Sequence, residues 1–250
     1  FLGWCTEVAY AAAKQGKFVN RGFLNGPICP VYGIGVGVVV QFLTPVENNL
    51  VLLYISSTIL VTVIEGITGF LLEKIFHNKW WDYSDMPLNI GGYVCLLFSI
   101  VWGFACLFII YFIQPLVHDL LAFIPTIVGI ILIIILGITL IADLYVTAST
   151  IFKFNRRLAA MEKIAAAMHE ISAQIGQEIF EKTIRALDAR ERSQEISEEL
   201  RSRIASLHTR YHESTDKPGR ISRRLMNAFP KMESRQHKES LEVLKKRWKR

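Results

Sequence analysis

The sequence predicts an all-α protein: a polytopic membrane bundle of about five helical spans, followed by a long helical, coiled-coil-like cytoplasmic tail. Three observations carry that reading. The mean hydropathy is +0.33 and 52% of the 250 residues are hydrophobic, which excludes a disordered or collagen-like chain. Several uncharged runs approach the ~20 residues needed to cross a bilayer. Charge is split along the chain: residues 1–149 hold five bases and eight acids, a net of −3, while residues 150–250 hold 23 bases and 14 acids, a net of +9. The break predicts a transmembrane domain over 1–149 and a basic cytoplasmic tail over 150–250.

Residues 1–13 read as the end of a span, too short to cross at ~1.5 Å per residue. With no initiator Met before Phe1, residues are expected upstream. The second span is placed at 31–46, entered through a Gly/Pro segment that holds Pro27, Pro30, Gly22 and Gly26. The third, 50–72, carries one charge, Glu65. The fourth, 93–113, carries none. The fifth, 120–148, is uncharged from Leu120 to Ala142.

With five spans, every base outside them falls on one side. Lys14, Lys17 and Arg21 follow span one, Lys74 and Lys79 follow span three, and 23 more follow span five. The opposite loops, around 44–49 and 114–119, hold no Lys or Arg. Four or six spans would scatter the charges. The positive-inside bias makes the basic side cytoplasmic. Cys5, Cys29, Cys95 and Cys106 lack metal-ligand spacing and read as packed thiols.

Ionisable groups within spans are costly and face a bundle interior or a wet cavity. Glu7, Glu65 and Asp143 qualify, each roughly 10–15 Å from the cytoplasmic end of its helix at ~1.5 Å per residue. They could line one site, or one could pair with Arg21 while the others snorkel. The segment from Asn20 through Arg21 and Asn25 to Gly33 is a candidate unwound element. Its freed amides and carbonyls could hold an ion or head group; the alternative is a loop with a rigid turn. The loop His77–Gly92 contains Trp80, Trp81, Asp82, Tyr83 and Asn89, and reads as an interfacial re-entry in which Asp82 and Asn89 cap or accept hydrogen bonds. The substrate-binding candidates are therefore Glu7, Asn20, Arg21, Asn25, Glu65, Asp82 and Asp143. No catalytic pattern is found, and no cofactor or metal is expected. His208 and His212 share a helix face without a third ligand.

These strings also carry a resemblance. Gly3-Trp4 with Glu7, Asn20-Arg21-Gly22-Phe23 to Gly33, Glu65, Trp81-Asp82-Tyr83-Ser84 with Pro87 and Asn89, and Ser99 with Trp102-Gly103 resemble the bacterial membrane proteins called putative ABC-transporter type IV, or ABC-transporter permease. The tail stretches Arg224-Leu225, Ala228-Phe229-Pro230 and Leu241–Lys245 resemble it too. The resemblance implies a multi-span inner-membrane protein of a transport system, and brings no catalytic or binding residues with it. The chain lacks the G-x-x-x-x-G-K-[ST] phosphate loop, so a separate ATPase subunit is the partner the resemblance implies. The competing reading is a membrane-anchored scaffold or sensor acting through its tail.

Within the tail, Met161, Ile164, Met168, Ile171 and Ile175, and later Ile196, Leu200, Ile204, Leu207 and Tyr211, recur at helical spacing. The seam-like stripe favours an extended helix, ~95 Å if continuous, or a self-associating coil that would make a homo-oligomer. A break near 188–194 would give a hairpin instead. Asp216-Lys217-Pro218-Gly219 ends the run. The closing Lys245-Lys246-Arg247-Trp248-Lys249-Arg250 suits anionic membrane lipid. Nucleic acid is not expected, because no groove-reading motif accompanies it.

Overall fold

The computed structural model describes residues 1–185, 195–215 and 219–248. The chain divides into two units. The first joins Phe1–Ile151 to Arg220–Arg235; the second joins Phe152–Gly219 to Gln236–Arg250.

The first unit opens with α1 (Leu2–Gln15), closed by Gly16 in the left-handed region at φ 66°. A non-helical stretch follows, then α2 (Pro30–Leu43), with Pro30 in its first turn where no amide partner is needed. A 3₁₀ turn, Thr44–Val46, extends it. Asn49 caps α3 (Leu50–Phe76) by accepting the Leu52 amide at 3.0 Å. After a loop, α4 (Leu96–Phe108) runs through a π-helical stretch, Ile109–Ile113, into α5 (Gln114–Ala122). α6 (Thr126–Arg185) begins directly after Pro125.

Among the described residues, three helices are long and apolar enough to cross a membrane: Leu50–Phe76, Leu96–Ala122 and Thr126–Gln174. Pro30–Val46 is a shorter apolar helix. The protein is therefore a mostly helical membrane protein. The turn expected at 114–119 is helical instead, and the helix is interrupted by a turn at 123–125. Pro115 does not break the helix, because it sits in the first turn of α5, after the wider π turn that adjusts the backbone. Pro125 does, by keeping the residue before it out of helical conformation.

α3 and α4 pack closely through small side chains, with Ser57 of one and Ser99 and Gly103 of the other buried and Gly103 lying against Tyr54 and Thr58. Such residues let helix backbones approach where lipid provides no hydrophobic drive. Val39, Leu43, Leu53, Cys106 and Ile110 form the buried cluster beside them.

The loop between α3 and α4 closes on itself. His77 ends α3 at φ 56°. β1 (Asn78–Lys79) follows, and β2 (Asn89–Ile90) pairs antiparallel with β3 (Val94–Cys95). Lys79, only 5% exposed, donates to Asp82 at 2.8 Å and to the Gly91 carbonyl at 3.1 Å. Asp82 also accepts from the Ser84 amide at 2.9 Å and hydroxyl at 2.6 Å. Partial burial pushes the Asp82 carboxyl up, but these donors outweigh it and hold the group at about 2. Gly92 takes φ 72°, and a Cβ there would strike all three side chains of the node.

The same unit contains α8 (Arg220–Ala228) and β4 (Glu233–Ser234), which pairs antiparallel with β1. Ala228 is buried with Ala11 and Val19, against Phe229. Trp80 meets Phe229 and Phe23 edge-on at 5.1 and 5.2 Å between ring centroids. Arg235 pairs with Glu73 through two bonds, at 2.8 and 3.3 Å.

In the second unit, α7 (Glu195–Thr215) returns alongside α6. Arg157 donates to the carbonyls of Ser214 and Glu213. A cleft of about 410 Å³ is lined from one helix by Ala167, Glu170, Ile171 and Gln174, and from the other by Arg203, Ser206, Leu207 and Arg210. The expected extended helix is thus a hairpin: the apolar stripes cover each other, with Met161 and Ile171 buried and Ile204, Leu207 and Tyr211 half-buried. The side chains of Ile175, Ile196 and Leu200, and the break at 188–194, lie outside the described residues, as do Asp216–Pro218, Lys249 and Arg250. α9 (Lys238–Trp248) closes the unit, with Leu241 and Leu244 buried. His237 pairs with Glu162. Trp248 donates its indole N–H to the Thr215 carbonyl at 3.3 Å, and Arg157 stacks over its ring.

Candidate functional site

α1, α2, α3 and α4 each bring one side chain of a polar cluster. The start of α1 lies against α2 because Gly3 has no Cβ: one built there would overlap the Tyr32 ring. The Tyr32 hydroxyl consequently reaches Glu7 and donates at 2.6 Å. Arg21, from the non-helical stretch, places Nε 3.1 Å from the other Glu7 oxygen. That Nε makes no directed hydrogen bond, so the approach is a charge contact rather than an aligned one. The guanidinium also stacks over Tyr10 at 5.0 Å.

The Tyr32 ring meets Trp102 of α4 edge-on at 5.7 Å. Trp102 in turn lies beside Glu65 of α3. Glu65 accepts the Tyr83 hydroxyl at 3.3 Å, and its second oxygen is buried without a hydrogen-bond partner. Burial, then the carboxylates of Glu65 and Glu7, push the Tyr83 phenol well above its ordinary range, so it remains a donor. Glu7 and Glu65 are thus linked through a Tyr32–Trp102 aromatic pair. Arg21 belongs to Glu7 and not to Glu65.

Asp143 stands in a second cluster. Its Oδ1 accepts from the Asn25 amide at 3.1 Å and the Asn25 side chain at 2.8 Å, and its Oδ2 from the Gly26 amide at 2.7 Å. Asn25 reaches on to Thr147 Oγ1 at 3.0 Å. Asn20 accepts from Trp4 at 2.8 Å and the Gly22 amide at 3.0 Å, and donates to the Asn25 carbonyl at 2.9 Å. Arg224 of α8 donates to the carbonyls of Gly22 and Phe23 at 2.7 and 3.0 Å. Burial lowers its guanidinium from the ordinary value, against the opposing pull of Asp143.

The seven candidate residues therefore fall into three groups. Glu7, Arg21 and Glu65 belong to the aromatic-walled cluster. Asn20, Asn25 and Asp143 staple the non-helical stretch. Asp82 lies in the Lys79 node, one residue from Tyr83. Tyr32, Tyr83, Trp102 and Arg224 are the partners that site prediction from sequence missed. All four stood in the strings that carried the family resemblance, but the three neutral aromatic side chains give no charge signal and Arg224 is one base of many in the tail.

Helices of this length and apolarity, with polar side chains turned toward one another between them, define an integral membrane protein. The family model for putative ABC-transporter type IV matches residues 1–148, and the chain belongs to that family. No curated protein and no solved structure matches the chain.

Proposed function

We propose that the chain is the membrane-spanning permease component of a transport system in a bacterial inner membrane. It crosses five times, with α1 and Pro30–Val46 as the first two crossings and the basic loops and C-terminal region in the cytoplasm. Its polar site, toward the cytoplasmic side, is built on Glu7, Arg21 and Glu65. Asn20, Asn25 and Asp143 shape the neighbouring segment, and Asp82 steadies the loop that carries Tyr83. A separate ATPase subunit supplies the energy, and anionic lipid meets the basic surfaces.

The observation that carries this reading is the junction of Glu7 and Glu65. Two carboxylates stand on separate apolar helices, Glu7 held by Tyr32, whose ring meets Trp102 beside Glu65, and one Glu65 oxygen is buried with no partner. A purely structural pair would satisfy that oxygen, because leaving it unmet costs stability. The scaffold reading needs the spans only as an anchor and puts no task on either carboxylate.

Complementation separates the two. In a strain deleted for its own copy, the wild-type chain restores the deletion phenotype. Glu65→Gln, present in the membrane at the wild-type level, fails to restore it if the site transports. Full complementation by Glu65→Gln would return the spans to the role of an anchor.

A further inference from the structure

The two grips on the non-helical stretch come from distant parts of the chain. From one side, Asp143 of α6 takes the amides of Asn25 and Gly26. From the other, Arg224 of α8 takes the carbonyls of Gly22 and Phe23. Between them Leu24 is 1% exposed, and Phe23 packs on Phe76 and Trp80, the latter also covered by Phe229. The stretch has no helix or sheet to satisfy its backbone, so those carbonyls need donors from elsewhere. Two charge-assisted bonds from one planar guanidinium meet that need at adjacent residues, which an ammonium cannot do with the same geometry.

We infer that Arg224 is a positioning residue for the 20–26 stretch, and that residues 220–235 are a working part of the membrane unit whose family-matched portion ends at residue 148. They hold the stretch shut from one side while Asp143 holds it from the other. The inference rests on these contacts and not on the transport reading; it stands whether or not the chain transports anything.

Cys29 reports on the stretch. It lies three residues beyond Gly26, is free and half-buried, and burial, then Glu7, push its thiol up to about 11. Cys106 is a free, buried thiol in the helix core and reports on global opening. The experiment uses the full chain in lipid nanodiscs, a water-soluble maleimide, and peptide mass spectrometry to read each thiol separately. In Arg224→Ala, Cys29 labels about tenfold faster or more while Cys106 stays closed. Asp143→Asn turns an amide N–H₂ toward the loop donors and opens Cys29 likewise. The double variant opens it little further than either change alone, because both grips act on one segment. A Cys29 rate equal to wild type in Arg224→Ala overturns the inference, and so do effects of the two changes that simply multiply. If Arg224→Ala also exposes Cys106, Arg224→Lys decides. With the charge kept and the fork lost, Cys29 must label faster than wild type behind a closed Cys106; a wild-type rate there overturns the inference equally.

Discussion

The same substitution at the two linked carboxylates should move stability in opposite directions. Glu65 accepts one long bond, from Tyr83 at 3.3 Å, and leaves its other oxygen buried and unmet. Glu65→Gln keeps an acceptor for Tyr83 and replaces the unmet oxygen with a neutral amide. A charge at the centre of a span costs ~2.5–3.5 kcal/mol on insertion scales, and an unpaired neutral amide ~1–3 kcal/mol. The difference is a gain of about 1 kcal/mol, or roughly 2–4 °C in Tm for a domain of this size. Glu7→Gln removes the counter-charge of Arg21, 3.1 Å away with both side chains about a quarter exposed, and should lower Tm. Thermal unfolding in one detergent, followed by near-ultraviolet absorbance, reads both. A fall of several degrees for Glu65→Gln would mean that the carboxylate holds a structural partner, and the reasoning that assigns it a task would be lost. A more stable but inactive variant is the expected pattern for a group kept for function.

A Cβ on Gly103 would lie 2.8 Å from Tyr54 Cε2 and closer still to Thr58 Oγ1, so Gly103→Ala should cost about 1–3 kcal/mol by overpacking α3 against α4. Gly137→Ala, with nothing within 4 Å, should be neutral or slightly stabilising in the same unfolding assay. The Asp82 carboxyl is depressed from 3.8 to about 2, so its contribution is fully present above pH 3.8 and is lost as pH falls through 2. The Tm difference between wild type and Asp82→Asn should accordingly close between pH 4 and 2, and a constant difference would exclude the Lys79 node as its source. Reporters inserted after Pro45, Met86 and Ile124 and at the C-terminus should read periplasm, cytoplasm, periplasm and cytoplasm; a periplasmic C-terminus would break the five-span orientation.

Hydropathy alone found the long helices, because a bilayer demands uninterrupted apolar length. The break at 123–125 is not where the charges suggest it, because His118 and Asp119 look like loop residues while the cause is steric and sits at Pro125. The carboxylates within spans were visible as charges in apolar surroundings. Their partners were not, since Tyr32 and Trp102 are ordinary residues for a membrane helix, and Tyr32 meets Glu7 only through the packing that Gly3 permits. The hairpin was an open alternative, and the stripe spacing is the same whether it meets a second chain or its own return. Arg224 stood in a tail string of the family resemblance, but its residue type marks it only as one base among 23 there. Its task lies in two backbone carbonyls some 200 positions earlier, and carbonyls leave no trace in residue type.

The interruption of the first unit by residues 152–219 imposes an order on biogenesis. Synthesis proceeds at ~5–20 residues per second, so the roughly 80 residues from Asp143 to Arg224 take about 4–16 s. Throughout that interval the helices that cross the bilayer are already made, while the Gly22 and Phe23 carbonyls and the exposed edge of Trp80 wait for α8 and Phe229. The intervening hairpin emerges complete before them. A ribosome that stalls or a message that ends between residues 215 and 224 would release a chain whose helices can insert but whose last seal never forms, and such a chain would present quality-control proteases with an open stretch at Asn20–Gly26.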